Sequence, residues 1–228
     1  IMKYLKKEAK EYAFEHMKGI WAAALTPFND DLSINEEGMR FNFRHWIDDL
    51  KIQGLFIAGK QGEFFSMSVD ERKRCFEIAV SEAGYKCQTI MSCSDQNFDT
   101  VLELSKYAED IGADYIVVHA PILNFVNDRK QILINYYTEL SSKVNIGIAM
   151  WSHPDSGYLM EPELCNEIAK LENIVAIKYS VPREMYKKLS ELASDKMIVS
   201  TASEKEWYDN IVELNWKLYL CSSPTFST

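Results

Sequence analysis

The chain has no surplus of basic residues: 25 lysines and arginines stand against 34 aspartates and glutamates, a formal charge of −9. With no basic face to neutralise phosphates, nucleic acid is not an expected partner. Paired cysteine spacing is missing as well. Cys75, Cys87, Cys93, Cys165 and Cys221 lie scattered, which points to reduced thiols and a cytoplasmic setting rather than a disulfide framework. No apolar run reaches the roughly 20 residues of a membrane helix, and no signal peptide is visible; no membrane association is expected. No low-complexity linker interrupts the 228 residues, so a single domain over 1–228 is expected.

What is present is alternation. A charged lead-in helix over 4–17 has a loose apolar face of Leu5, Ala9, Tyr12, Ala13 and His16. Short apolar runs ending near Leu25, Ala58, Ser92, His119, Trp151, Lys178, Ser200 and Cys221 read as strands. Helical periodicity over 35–51, 68–83, 97–111, 128–142, 161–171, 182–193 and 203–212 separates them. Ser68 followed by Asp70 and Glu71 is an N-terminal helix signal, and Pro162 suits a first turn. Strand–helix alternation implies right-handed βαβ units and a parallel sheet, and eight such strands favour a closed (β/α)8 TIM barrel. No Gly-x-Gly-x-x-Gly turn follows the first strand, which weakens a dinucleotide-binding alternative. No eighth helix covers the last strand. The expectation is that further C-terminal sequence, or another chain, covers that face.

The run Asn173-Ile174-Val175-Ala176-Ile177-Lys178 is apolar until its last residue. Burial disfavours an ammonium, so a lysine closing such a strand is either a snorkelling cap or an amine with a lowered pKa, the form a Schiff-base nucleophile needs. Barrel active sites lie at the C-terminal strand ends. Those ends hold Thr26, Lys60-Gln61-Gly62-Glu63, Cys93, His119, Trp151-Ser152-His153, Lys178, Ser200-Thr201 and Ser222-Ser223. Lys60 could depress the pKa of Lys178 further, bind a substrate carboxylate, or simply face solvent.

Several of these segments resemble one family. Gly59-Lys60-Gln61-Gly62-Glu63-Phe64-Phe65-Ser66-Met67-Ser68 with Glu71-Arg72, the early Leu25-Thr26-Pro27-Phe28, and the turn Pro154 to Gly157 followed by Ile177-Lys178 are similar to the dihydrodipicolinate synthase/N-acetylneuraminate lyase family, in order along nearly the whole chain. The resemblance implies a class I pyruvate-dependent aldolase or lyase, with Lys178 forming the Schiff base and no cofactor. It also implies a C-terminal helical region beyond the last strand here and assembly as a homo-oligomer, dimer or tetramer. Its substrates would be a 2-oxo acid and an aldehyde-type partner, held by Thr26, Lys60, Gln61, Gly62 and Thr201.

The departures are specific. Lys60 and Gln61 stand where the family has hydroxyl residues, and Trp151 replaces a tyrosine that acts as general acid/base. Indole cannot transfer a proton in that way. The second tyrosine of the relay is absent from Pro121-Ile122-Leu123, and the turn from His153 to Gly157 lacks the synthase's arginine. Trp151 is expected to shape the pocket of the second substrate, and His153 to serve as a replacement acid/base, with His119 more structural. Tyr179 should point away from Lys178 across the strand. Two other readings stay open: a metal-assisted aldolase built on Glu63, His119 and His153, and a barrel that has lost catalysis and serves in binding or regulation.

Overall fold

The computed structural model describes residues 2–123, 126–201 and 203–221. Ser222 and Ser223, placed above at the last strand end, lie outside the described residues. Eight strands form one sheet: β1 (Gly19–Ala23), β2 (Gly54–Ile57), β3 (Gln88–Ser92), β4 (Tyr115–His119), β5 (Gly147–Ser152), β6 (Ile174–Tyr179), β7 (Ile198–Ser200) and β8 (Leu218–Cys221). Their order is β7-β6-β5-β4-β3-β2-β1-β8 and every pairing is parallel. The two end strands of this order meet where the Ser200 hydroxyl donates to the Leu218 carbonyl at 3.2 Å, so the sheet curls into a nearly closed (β/α)8 barrel. The helices are α1 (Ala9–His16), α2 (Glu36–Arg44), α3 (Val69–Ala83), α4 (Phe98–Asp110), α5 (Arg129–Lys143), α6 (Pro162–Ile168), α7 (Arg183–Ala193) and α8 (Trp207–Leu214). Among the described residues no helix is long and apolar enough to cross a membrane.

Local chemistry sets the helix starts. Side chains of Asn35, Ser68, Asn97 and Asp128 accept from backbone N–H groups in the first turns of α2, α3, α4 and α5. Ser68 and Glu71 form a reciprocal capping box, with the Ser68 N–H donating to Glu71 at 2.8 Å. Three boundaries differ from the pattern read above. The helix expected over 35–51 widens into a π-helical turn over His45–Asp49. β1 stops at Ala23 and Leu25 is exposed, because the chain turns there to meet the loop after β2. Leu5 is exposed too, since it precedes a short 3-10 turn (Lys6–Glu8) and is not in register with α1.

The strand alternation sorts side chains into two apolar layers. Leu55, Ile57, Met91, Ile116, Val118, Ile148 and Met150 face outward beneath the helices. Trp21, Phe56, Ile90, Tyr115, Val117, Ala149, Trp151 and Leu220 fill the interior. Tyr4, Ala9, Ala13 and Met17 join that interior cluster, so the N-terminal segment plugs one end of the barrel.

Polar contacts hold the plug. Tyr4 Oη donates to the Asp114 carbonyl at 2.5 Å and accepts from the Gly147 N–H at 2.8 Å. The buried Asp114 carboxylate accepts from Lys3 Nζ at 2.7 Å, the Thr89 N–H at 2.8 Å and Thr89 Oγ1 at 3.1 Å. Asp114→Ala leaves those buried Thr89 donors without an acceptor. It should cost about 1–3 kcal/mol, read as a lower urea midpoint with an unchanged m-value.

β6 departs from plain alternation. Its register against β5 runs Ile148↔Ile174 and then Ala149↔Ala176, so Val175 is an extra residue in a bulge. Val175 and Ala176 both face the interior, whereas Ile174 and Ile177 face the helices. The bulge therefore switches the phase of the strand, and the inward positions that follow include Lys178.

Candidate active site

Lys178 lies half-buried near the end of β6, paired in register with Trp151 on β5 and Ser200 on β7. Its Nζ stands 4.9 Å from the centroid of the Phe56 ring and 4.7 Å from that of Trp151, both interior side chains. Two aromatic faces thus hold the amine at the barrel mouth. Tyr179 points the other way, as strand geometry requires, and its hydroxyl donates to the Met160 carbonyl at 2.5 Å.

Trp151 is buried and packs edge-on against Phe56 and His119, with ring centroids 5.7 Å and 4.9 Å away. Its indole N–H has no partner among the described residues. One side of Trp151 meets Lys178. The residue also lines a cavity of about 430 Å³ at this end of the barrel. Phe64, Phe65, Met67, Pro121 and Ile122 give that cavity its apolar wall, while Lys60, Ser94, Asp95, Gln96, His119 and Asp155 give its polar positions. Of the residues singled out by sequence, the cavity brings together Lys60, His119 and Trp151. Thr26, Gln61, Gly62, His153, Lys178 and Thr201 are not on its wall.

The loop after β2 is drawn tightly against the end of β1. The Thr26 hydroxyl donates to the Gly62 carbonyl at 2.8 Å, so Thr26 holds this loop in place. A Cβ at Gly62 would lie 2.9 Å from the Ala24 carbonyl oxygen and 3.2 Å from Ala58 Cα, so only glycine fits. Ala58 and Glu63 flank the loop with φ of 50° and 62°, left-handed values that such residues adopt at a cost. Gln61 is exposed, and among the described residues the N–H groups of Lys60 and Gln61 donate to no backbone acceptor. Thr201 is buried just beyond β7.

Lys60 is exposed on the loop after β2, in keeping with the solvent-facing reading, and it lines the cavity. It forms a short ion pair with Asp155, joining the loop after β2 to the loop after β5. That bond holds the Asp155 carboxyl below its ordinary pKa. His153 Nδ1 accepts from the Asp155 N–H at 3.1 Å, and burial keeps the imidazole below its usual pKa, opposed by the Asp155 carboxylate and reinforced by Lys60 and Lys178. His119 Nδ1 is 2.7 Å from the Ala120 carbonyl. Burial again lowers the pKa, with that hydrogen bond opposing.

Glu63, His119 and His153 do not make a metal centre. Glu63 is exposed in its left-handed turn, and among the described residues no group of three or more potential ligands comes together. Cys75, Cys87, Cys93 and Cys165 are free and buried. Desolvation pushes the first three thiols up to about 12, which makes them poor nucleophiles.

Asp95, Asp155 and Arg72 escaped the sequence reading as site residues. The Arg72 guanidinium is buried and donates to the Ser92 and Ser94 carbonyls at 2.7 and 2.9 Å, fixing the cavity wall that follows β3. Its sequence signal was the Glu71-Arg72 pair, in which Glu71 caps α3 and Arg72 reaches across to β3.

Comparison with known proteins shows the family and the fold. The sequence model of the dihydrodipicolinate synthetase family matches residues 16–215. An N-acetylneuraminate lyase of Clostridium perfringens is 33% identical over 190 residues, covering 82% of this chain and 65% of the lyase. An N-acetylneuraminate lyase of Fusobacterium nucleatum is 33% identical over 165 residues, covering 72% of this chain and 56% of that protein. The chain thus matches less than two thirds of the length of these relatives. Among solved structures, CdNal from Clostridium difficile, in complex with mannosamine, superposes with a TM-score of 0.85 at 27% identity, over 92% of this chain and 72% of that one. Dihydrodipicolinate synthase from Aquifex aeolicus has a TM-score of 0.84 over 91% of this chain and 70% of that one; at 19% identity it shows the shared fold alone. With a family model spanning most of its length and lyase relatives a third identical, the chain belongs to the dihydrodipicolinate synthetase family.

Proposed function

We propose that the chain is a class I lyase or aldolase, in which Lys178 forms a Schiff base with pyruvate or another 2-oxo acid. The observation that carries this reading is the inward placement of Lys178 at the barrel mouth, between the Phe56 and Trp151 rings. The amine attacks the keto carbon and water leaves. The resulting imine accepts the electron pair released when a proton, or a carbon fragment, departs from the neighbouring carbon. The unengaged N–H groups of Lys60 and Gln61 bind the 2-oxo acid carboxylate, with Thr26 and Gly62 holding that loop in position.

The partner fragment occupies the neighbouring cavity. Several polar groups there are already engaged by the protein: Gln96 exchanges two hydrogen bonds with the Ile122 backbone, both at 2.9 Å, and Ser94 Oγ accepts from the His119 N–H at 2.9 Å. Lys60 is held by Asp155. A polyol would leave many of its hydroxyls unpaired against this wall, so an aldehyde with an apolar or aromatic substituent fits better than the sugar fragment of an N-acetylneuraminate lyase. Trp151→Tyr should move preference toward more polar aldehydes by about tenfold, on the scale of 1–3 kcal/mol for one altered pocket contact, while adduct formation with pyruvate stays intact. Unchanged ranking across an aldehyde panel would remove Trp151 from the specificity wall.

The reading itself is tested by borohydride reduction in the presence of a panel of 2-oxo acids, followed by intact mass. A mass increase equal to the reduced imine is expected with at least one of them. No adduct with any 2-oxo acid would overturn it and leave the barrel a binding protein.

A further inference from the structure

This inference rests on the Schiff-base reading. A class I aldolase needs a group that carries protons to and from the substrate, and the hydroxyls of Tyr158 and Tyr179 are tied elsewhere. The Tyr158 hydroxyl donates to the Pro121 carbonyl at 2.8 Å, and the Tyr179 hydroxyl donates to the Met160 carbonyl on the far side of β6. Trp151 has no titratable proton to give.

We propose that His119, through Nε2, is the catalytic proton carrier of this barrel. Its Nδ1 lies 2.7 Å from the Ala120 carbonyl, which can only accept, so Nδ1 carries the hydrogen. In the neutral ring the lone pair is therefore on Nε2. The ring lines the cavity and rests edge-on against Trp151, whose ring also stands against Lys178 Nζ. In register, His119 pairs with Trp151 and Trp151 with Lys178, so the imidazole and the amine lie in one row of strand ends. A hydrogen bond from the His119 N–H to Ser94 Oγ fixes the backbone beneath it. His153 is less well placed: it is not on the cavity wall, and its Nδ1 accepts from the Asp155 N–H.

The chemistry balances without another reactant. Nε2 takes a proton from the carbon next to the protonated imine; that C–H electron pair forms the C=C bond and the C=N π pair moves onto nitrogen, giving enamine and imidazolium. After the enamine attacks an aldehyde, the imidazolium returns the proton to the new alkoxide oxygen. Cleavage runs the same steps in reverse. The charged and titratable groups that act on the imidazole are His153 and Asp155 from the loop after β5 and Lys60 from the loop after β2; Asp95 lines the same cavity, and Lys178 stands on the Trp151 ring. Burial is the largest influence and lowers the pKa, so the neutral base prevails at pH 7.

Exchange of pyruvate methyl hydrogens in deuterium oxide reads the first step and needs no second substrate. His119→Asn keeps a side-chain N–H in the place of Nδ1 while removing Nε2. It should still give the borohydride adduct with pyruvate, whereas methyl exchange falls about 10²–10⁴-fold. Exchange by the unaltered chain should rise with pH as His119 loses its proton and level off from a midpoint below the ordinary 6.5 or so; the variant should lack that limb. Added imidazole should restore part of the exchange to His119→Ala, which a purely structural histidine would not allow. Exchange within threefold of the unaltered rate in an Asn variant that still traps pyruvate would overturn the assignment. Failure of the unaltered chain to trap any 2-oxo acid would instead sink the Schiff-base reading.

Discussion

Lys178→Ala should give no borohydride-stable adduct with any 2-oxo acid, and turnover should fall on the order of 10⁴-fold or more, as when a covalent nucleophile is removed. The expectation follows from the phase of β6. The bulge at Val175 turns Lys178 into the interior, where Phe56 and Trp151 flank Nζ. No other lysine among the described residues holds that position; the nearby Lys60 is paired with Asp155 in the loops above. Full activity in this variant, with an adduct still formed, would place the nucleophile elsewhere.

Gly62→Val should raise KM for the 2-oxo acid roughly 10- to 100-fold, the loss of about 1.5–3 kcal/mol from one hydrogen bond to a charged carboxylate. The branched side chain has no room: the first added carbon already meets the Ala24 carbonyl oxygen at 2.9 Å and Ala58 Cα at 3.2 Å, both backbone atoms. The loop must lift, the Thr26 bond to the Gly62 carbonyl must break, and the N–H groups of Lys60 and Gln61 move out of reach. Adduct formation should survive at high concentrations of 2-oxo acid, since Lys178 itself is untouched. An unchanged KM would remove the carboxylate from this loop.

Short-range chemistry was legible in the sequence. Ser68 and Glu71 announced the start of α3, the apolar runs announced the eight strands, and the lysine closing the sixth run marked the amine at the barrel mouth. These signals depend on contacts within a few residues, or on a strand covered on both faces, and they hold before any strand finds its neighbour. What the N-terminal segment does was not legible, because Tyr4 and Asp114 meet only after the barrel has formed.

The site divides in the same way. Sequence by itself determined that Lys178 ends an apolar strand and that Gly59 and Gly62 bracket a tight loop. Only the tertiary structure decided which way Lys178 faces, because the bulge at Val175 is defined by register against β5. It decided as well that Lys60 is paired with Asp155 and that Arg72 supports the cavity wall from beneath. The tautomer of His119 follows from one carbonyl oxygen beside Nδ1, a hydrogen bond that periodicity cannot foretell. Charge pairs and side-chain protons are settled by whatever lies within about 3 Å, and in a barrel the residues at that distance come from strands and loops far apart in the chain.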